Sequence, residues 1–234
     1  MLAILATTAQ AQTPVAINDT NFPDEKFREA IAVFDTNNDN QLSSDEIAAV
    51  RFIDVFNSGI TNLNGIKFFT ALDTLVCSRN TLSGLNLSLN TNLVWLECSE
   101  CGLTELNLAT NTKLTHLKCS FNAIDKLELQ NQPELLKLVC ENTQLTELDL
   151  SKCPKLTSLI CQESQLSSLN ISACTLLEYL NCRDNQLSSL DLSNHNALMT
   201  LSCEKNQLTD LKISAGAKDL NLNSSSKCNS LEGA

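Results

Sequence analysis

Glycine and proline are scarce in this chain, with six and four among 234 residues. Disordered segments and flexible linkers are usually rich in these residues and poor in large apolar ones, so the chain is not of that kind. Aromatic residues make up only 4% of the sequence, which means that aliphatic side chains must build the core. No apolar run reaches the roughly 18 residues needed to span a bilayer, and we expect no membrane span.

Basic residues are also few, because 16 Lys and Arg face 27 Asp and Glu for a formal net charge of −11. Binding to nucleic acid or to an anionic membrane surface needs a basic face, so the sequence argues against both. Common catalytic signatures are absent: there is no G-x-S-x-G, phosphate-binding loop or His-x-x-x-His. We therefore expect a protein that is not an enzyme.

The first residues, "MLAILATTAQAQ", contain a short apolar run followed by Ala9-Gln10-Ala11. Small residues in an A-x-A pattern are typical of the site where a secretory signal peptide is cleaved. A basic segment is missing and the apolar run is short, so an ordinary chain terminus is the alternative. We interpret residues 1–11 as a signal-peptide remnant and expect an exported protein.

Cysteine recurs at a fixed step of 21 residues along most of the chain. The series is Cys77, Cys98, Cys119, Cys140, Cys161, Cys182 and Cys203. A leucine lies two residues before each of these cysteines, and a leucine or isoleucine lies five residues after it. A fixed period of this length is the signature of a solenoid, in which each turn packs only on its neighbours.

The repeat unit, L-x-x-L-x-C-x-x-N-x-L-x-x-L-x-L, resembles the leucine-rich repeat, which has Leu and Asn or Cys at these offsets. The resemblance covers roughly residues 53–222. It implies a mainly β solenoid with one parallel concave sheet and an irregular or short-stranded convex side. We assign residues 51–234 to this domain, with an irregular first turn at 51–71, seven turns at 72–218 and a decayed last turn at 219–234. Ser224 takes the cysteine position in that last turn.

Four asparagines occupy one column of the repeat and are expected to bond the backbone of adjacent turns. They are Asn80, Asn122, Asn185 and Asn206, and Cys101, Thr143 and Ser164 replace asparagine in the other turns. Cys98-x-x-Cys101 therefore results from two neighbouring columns. The alternative, a redox pair or half of a zinc site, lacks a second C-x-x-C or a His pair.

The ladder cysteines are expected to be buried free thiols. Stacked strands lie about 4.8 Å apart, which exceeds the usual disulfide Cβ separation of about 3.8 Å. Cys153 and Cys174 share a separate column in the loops. Of all the cysteines, these two are the pair best placed for a disulfide, with two free thiols as the alternative.

A different kind of segment precedes the repeats. Phe27, Ile31 and Phe34 recur at helical spacing, and residues 35–46 then resemble the EF-hand calcium loop D-x-[DN]-x-[DN]-G-x5-E. This resemblance implies Ca²⁺ ligands at Asp35, Asn37, Asp39, Gln41, Ser43 and Glu46. Asn40 replaces the usual glycine, and asparagine tolerates a left-handed backbone better than most residues.

The same segment also resembles the helical, EF-hand-like cap of internalin-like repeat proteins, which covers the first turn and need not bind metal. We therefore predict such a cap at residues 17–50, since every solenoid must cover its open end. Whether Ca²⁺ binds there as well is left open by the sequence.

The resemblance to leucine-rich repeats implies that ligands bind on the concave sheet. Outward positions there flank the inward leucine of each strand, and the single Trp and single Tyr fall in the same column. Interface hot spots favour such residues. The candidate ligand-binding residues are Trp95, His116, Lys118, Phe121, Lys137, Val139, Ile160 and Tyr179.

The sequence predicts a secreted or cell-surface protein that binds a protein or glycan on its concave face. The resemblance to internalin-like repeat proteins implies that it acts at or outside a bacterial cell surface. One alternative is a calcium-dependent structural spacer or surface scaffold without a specific ligand. A second alternative is a metal or redox protein that uses the cysteines.

Overall fold

The computed structural model of the chain describes residues 13–216 and the backbone of residues 221–222. The predicted signal-peptide remnant, residues 1–11, and most of the predicted last turn, with Ser224, lie outside the described residues. The elements in chain order are β1 Val15–Ala16, α1 Glu25–Ile31, β2 Gln41–Leu42, α2 Ser44–Ala49, β3 Phe52–Asp54, β4 Thr74–Val76, β5 Trp95–Glu97, β6 His116–Lys118, β7 Lys137–Val139, β8 Glu147–Asp149, β9 Ser158–Ile160, β10 Ser168–Asn170, β11 Tyr179–Asn181, β12 Ser189–Leu192, β13 Thr200–Ser202, β14 Asp210–Ile213 and β15 Asn221–Leu222.

One parallel sheet runs the length of the solenoid in the strand order β3-β4-β5-β6-β7-β9-β11-β13-β15. Equivalent residues of successive turns pair in register, so that Trp95 lies opposite His116 and His116 opposite Lys137. The first pair joins Phe52 to Thr74, a step of 22 residues, because the first turn holds one extra residue. The predicted leucine-rich repeat solenoid with a parallel concave sheet is confirmed.

The convex side carries short strands as well as turns. Strand β10 pairs in parallel with β8, and β12 pairs in parallel with β14. The predicted irregular or short-stranded convex side is thus also confirmed.

The core consists of columns of identical side chains, because each turn places the same position in the same environment. The central leucine of each concave strand and the cysteine after it point inward; Leu96, Cys98, Leu138 and Cys140 are completely buried. Ladder cysteines 77 to 182 are free thiols, as the strand spacing predicts. Cys203 differs from them, because it is disulfide-bonded.

Each turn leaves the concave sheet through a left-handed residue two positions after the ladder cysteine. These residues have φ between 52° and 60° and none is glycine: Arg79, Glu100, Phe121, Asn142, Glu163, Asp184 and Lys205. A left-handed conformation costs a non-glycine residue roughly 1–2 kcal/mol. A bond to the next turn offsets part of this cost, since the Glu100 amide donates to the Ser120 carbonyl at 2.9 Å and the Phe121 amide to the Glu141 carbonyl at 3.0 Å.

The asparagine column does join adjacent turns. Asn122 Nδ2 donates to the carbonyls of Cys98 and Cys119, each at 2.9 Å. Its Oδ1 accepts from the amides of Cys101 at 3.1 Å and Leu103 at 2.9 Å. Where Cys101 replaces asparagine, its thiol donates to the Cys77 carbonyl at 3.1 Å. The predicted role of this column is confirmed.

A second buried polar column lies between the convex strands and the concave sheet. Its members recur at 21 residues and differ in type: Asn90, Asn111, Gln132, Cys153, Cys174 and His195. Each donates to a carbonyl of the preceding turn, as Asn111 Nδ2 does to the Asn90 carbonyl at 2.9 Å. Cys153 and Cys174 are both free thiols, so the candidate disulfide between them is not formed. The Cys174 thiol instead points to the Leu150 carbonyl, 3.6 Å away.

The N-terminal segment packs its two helices and the antiparallel β1-β2 pair against the first turn of the solenoid. Phe22, Phe27 and Ile31 are fully buried, and the Phe22 ring lies 6.2 Å from that of Phe69. Asp24 caps α1 by accepting from the Phe27 amide at 3.0 Å. The second carboxylate oxygen of Asp24 accepts from the Thr61 amide at 2.8 Å, so a single side chain ties α1 to the first turn.

Candidate functional site

The concave sheet brings seven of the eight predicted ligand-binding residues onto one face. One row of paired residues contains Trp95, His116, Lys137 and Tyr179, and the next row contains Lys118, Val139 and Ile160. Neighbours within a row are about 4.8 Å apart. Phe121 lies apart from them at a left-handed bend beyond β6, where it is 48% exposed.

Four side chains at the N-terminal half of this face form an aromatic–charged cluster: Trp95, Glu97, His116 and Lys118. The Trp95 and His116 rings stack with centroids 4.2 Å apart and an interplanar angle of 14°. Glu97 Oε1 accepts from Trp95 Nε1 at 2.9 Å and lies 2.8 Å from Lys118 Nζ. The Lys118 ammonium also lies 5.7 Å from the Trp95 ring centroid. Glu97 was not among the predicted site residues, although it occupies an outward position of β5.

The environment of His116 disfavours its charged form. Partial burial lowers the pKa of His116 below its ordinary value of 6.5, and the nearby Lys137 and Lys118 lower it further. The imidazole is therefore mainly neutral at pH 7. The Thr115 hydroxyl lies 2.9 Å from His116 Nδ1 and fixes one side of the ring.

An apolar strip separates this cluster from Tyr179. Val139 and Ile160 are register partners on β7 and β9, and both are half-buried. Tyr179 is half-buried one strand further along, opposite Ser158. Four strand spacings, or about 19 Å, separate Trp95 from Tyr179. The face can therefore contact an extended partner at two aromatic ends and an apolar middle.

The loop with the predicted calcium ligands is closed by its own side chains. Asn40, at the usual glycine position, has φ 62° as predicted. Asp35 accepts from the amides of Asp39 at 3.2 Å and Asn40 at 2.8 Å. Asp39 in turn accepts from the Gln41 amide at 2.9 Å. These bonds occupy oxygens that calcium would need.

Glu46, the predicted bidentate ligand, is held by protein donors. Its Oε1 accepts from the amide and hydroxyl of Thr36, both at 2.7 Å, and its Oε2 accepts from the amide and hydroxyl of Ser43, both at 2.8 Å. Hydrogen bonds from Thr36 and then Ser43 lower the pKa of Glu46 to about 2. Within the described residues no three His, Cys, Asp or Glu side chains are placed to hold a metal. A bound Ca²⁺ would have to compete with these donors for Glu46, and calcium binding stays a prediction.

The cysteines have the properties of core residues. Burial raises the pKa of Cys98 well above its ordinary value and that of Cys119 to about 12. A hydrogen bond from the Cys77 side chain lowers the pKa of Cys101, which is nevertheless completely buried. Reactive thiols are accessible and readily deprotonated, so this geometry gives the redox alternative no support.

The chain is similar to known proteins both in sequence and in fold. No protein-family model matches the chain. Over 88 residues, which are 37% of this chain and 10% of the relative, the sequence is 34% identical to Internalin J of Listeria monocytogenes. The functional domain of that bacterium's InlJ, whose structure includes a cysteine ladder, matches with a TM-score of 0.50 and 23% identity over 92% of this chain and 64% of that one.

Internalin C2 of the same species matches with a TM-score of 0.74 and 22% identity, over 92% of this chain and 98% of that one. The fold is an internalin-like leucine-rich repeat solenoid with a cysteine ladder. This internalin-like solenoid spans only a tenth of the length of Internalin J. Leucine-rich repeat proteins typically serve in protein interactions, through the extended concave surface that stacked turns create.

Within the part of the chain that the structure describes, no helix has the length and apolar character required to cross a bilayer.

Proposed function

We propose that this internalin-like solenoid is an exported bacterial binding protein that recognises a protein partner on its concave sheet. The observation that carries the proposal is the placement of Trp95 and Tyr179 in one row of the sheet, both half-exposed. Tryptophan and tyrosine are enriched at interface hot spots, where each contributes about 2 kcal/mol or more. Val139 and Ile160 add apolar surface between them.

A protein partner suits this face better than a glycan. A sugar ring stacks on an uncovered aromatic face, whereas one face of Trp95 is covered by the His116 ring, 4.2 Å away. The indole N–H is also engaged, because it donates to Glu97. The indole offers a partner its edge, its second face and the neighbouring polar side chains, a mixed surface that suits the side chains of a polypeptide.

Export is part of the proposal and has separate support. The Ala9-Gln10-Ala11 pattern is typical of signal-peptide cleavage, and the similar proteins are internalins of a bacterium. Expression in a bacterial host, followed by fractionation and sequencing of the mature N-terminus, tests this part. Retention of the uncleaved chain in the cytoplasm would contradict it.

The binding role is tested by capture from bacterial envelope and host-cell extracts on three immobilised proteins. These are the wild type, the double variant Trp95→Ala/Tyr179→Ala, and Leu89→Ala, which removes an exposed apolar side chain outside the concave sheet. A partner should be retained by the wild type and Leu89→Ala and lost by the double variant. Equal retention by all three proteins, or no partner at all, would favour a structural spacer.

A further inference from the structure

We infer that the partner segment on the concave face is an extended acidic peptide in which a carboxylate lies two residues from an apolar side chain. The carboxylate contacts His116 and Lys137, and the apolar side chain covers Val139 and Ile160. This inference rests on the proposed function, because it names the chemistry of the partner that the same face binds.

The first argument is the charge of the face. On the concave strands β4, β5, β6, β7, β9, β11 and β13, the outward positions carry three charged residues, Glu97, Lys118 and Lys137, whereas the whole chain has 16 basic and 27 acidic residues. Lys118 neutralises Glu97 at 2.8 Å. Among residues 13–216, Lys137 makes no ion pair. The strand face therefore has a local positive charge at Lys137 on an otherwise acidic protein.

The second argument is the spacing of a basic pair and an apolar pair on neighbouring strands. His116 and Lys137 are register partners, about 5 Å apart, and Val139 and Ile160 form the same kind of pair in the next row. Lys137 and Val139 are two residues apart on β7, or about 7 Å. Residues i and i+2 of an extended peptide also lie on one face at that spacing. A single extended segment can therefore place a carboxylate over one pair and an apolar side chain over the other.

A basic segment fits the same face poorly. Glu97 is the only carboxylate at the outward positions of the concave strands β4, β5, β6, β7, β9, β11 and β13, and its Oε1 already accepts from Trp95 and pairs with Lys118. A basic side chain would have to displace Lys118 from Glu97. A carboxylate meets an unpaired ammonium and a stacked imidazole instead, and hydrogen bonds to charged groups are the stronger ones.

The groups around His116 also give the interaction a definite pH dependence. Trp95 lies on one side, Lys137 on the other, Lys118 on the same strand with Glu97 beside it, and the Thr115 hydroxyl on Nδ1. Partial burial and then the two lysines keep the pKa of His116 low in the free protein. A bound carboxylate favours the protonated ring, so binding should strengthen as pH falls from neutral through the range in which His116 takes up its proton. This trend should end near pH 4.3, where glutamate itself takes up a proton.

Trp95 is the only tryptophan of the chain and belongs to the site, so its fluorescence reports occupancy directly. The probe is a synthetic peptide that repeats Glu-Ser-Leu-Ser, and its counterpart has glutamine in place of each glutamate. We expect saturable binding of the glutamate peptide and at least about tenfold weaker binding of the glutamine peptide. Lys137→Gln should lower the affinity for the glutamate peptide about three- to tenfold, which is the range for losing a partly exposed charge contact.

Two further variants complete the comparison. Lys137→Arg keeps the charge and should bind nearly as well as the wild type, which separates a charge effect from a packing effect. Lys126→Gln, which removes an exposed lysine outside the concave sheet, should leave binding unchanged. Matched melting temperatures would show that all variants are folded.

The outcomes separate this inference from the proposed function. Equal binding of the two peptides, absence of binding to either, or an unaffected Lys137→Gln variant would overturn the acidic-peptide inference. If an extract partner is captured through Trp95 and Tyr179 but is indifferent to Lys137→Gln, only the inference fails. If capture is indifferent to Trp95 and Tyr179, the proposed function itself fails.

Discussion

Replacing Asn122 with alanine tests whether the buried asparagine column holds successive turns together. Asn122 is 5% exposed. Its amide group satisfies the carbonyls of Cys98 and Cys119 and the amides of Cys101 and Leu103. Alanine would leave these four backbone groups without the partner that joins two turns, in a place that water reaches poorly.

The magnitude follows from the number of bonds. A typical buried hydrogen bond contributes about 1 kcal/mol net, and a buried group left unsatisfied costs about 1–3 kcal/mol. Four lost bonds predict that Asn122→Ala lowers the free energy of unfolding by about 4 kcal/mol. Asn111, in the second polar column, donates two such bonds and its Oδ1 has no partner. Asn111→Ala should therefore cost only about 2 kcal/mol, although Asn111 is buried more completely.

Urea unfolding followed by far-UV circular dichroism measures both variants against the wild type. The slope of the transition should be compared as well, because stacked repeats can lose cooperativity when an interface between turns is weakened. Equal costs for Asn122→Ala and Asn111→Ala would refute the reasoning, since burial and not the count of backbone bonds would then set the cost. A cost below about 1 kcal/mol for Asn122→Ala would have the same consequence.

Four further predictions concern the ladder, the bends and the N-terminal loop. Cys119, Cys140 and Cys161 should resist thiol-labelling reagents until the chain unfolds, because their thiols are buried with raised pKa; rapid labelling of the native protein would contradict this. Phe121→Asn should raise the free energy of unfolding by up to about 1 kcal/mol in urea titrations, since asparagine tolerates φ 56° better than an exposed phenylalanine. The folded pKa of Glu46, about 2, lies below its ordinary 4.5, so its contribution to stability should be complete above pH 4.5 and disappear as pH falls toward 2; acid unfolding of Glu46→Gln should lack this component. In a calcium titration of the melting temperature, any response should require about millimolar Ca²⁺ and vanish in Glu46→Gln, because the ion must displace Thr36 and Ser43 from Glu46.

The fold could be predicted because the 21-residue period assigns every position of a turn to one environment. Leu96 and Leu138 occupy equivalent places, as do Cys98 and Cys140, so the sequence alone identified which side chains point inward. The strand register followed from the same period, which is why Trp95, His116 and Lys137 could be placed in one row beforehand.

The second polar column was missed because its members share a role and not a residue type. Each member donates a hydrogen bond to a carbonyl of the preceding turn. The donor is an amide at Asn90 and Asn111, a thiol at Cys153 and Cys174, and an imidazole at His195. A search for identical residues does not detect such a column, whereas a search for any hydrogen-bond donor at a step of 21 would have found it. The same oversight made Cys153 and Cys174 look like a disulfide pair and not two members of a stack.

Side-chain details of the site depended on packing that the sequence does not reveal. Adjacent strands bring Trp95 and His116 together, but the stacking of their rings and the position of Glu97 beneath Trp95 Nε1 depend on rotamers. Likewise, the calcium-loop motif predicted what Glu46 could bind, yet the closed loop already surrounds that carboxylate with donors from Thr36 and Ser43.

The contrast between the inward and outward columns indicates where recognition resides in this solenoid. The inward positions of concave strands β4 to β7, β9, β11 and β13 repeat leucine, followed by cysteine, because each turn packs on a copy of itself, and a side chain of a different size there would disturb two interfaces at once. Outward positions of the concave sheet are free of that requirement, so residues as different as Trp95, Lys137 and Tyr179 can follow one another in a single row.

A partner that contacts this row from Trp95 to Tyr179 touches strands β5, β6, β7, β9 and β11, and therefore several turns that otherwise contact only their neighbours. Binding should then suppress the local opening of these turns together, so hydrogen exchange should slow across the middle of the solenoid and not only at the residues in contact.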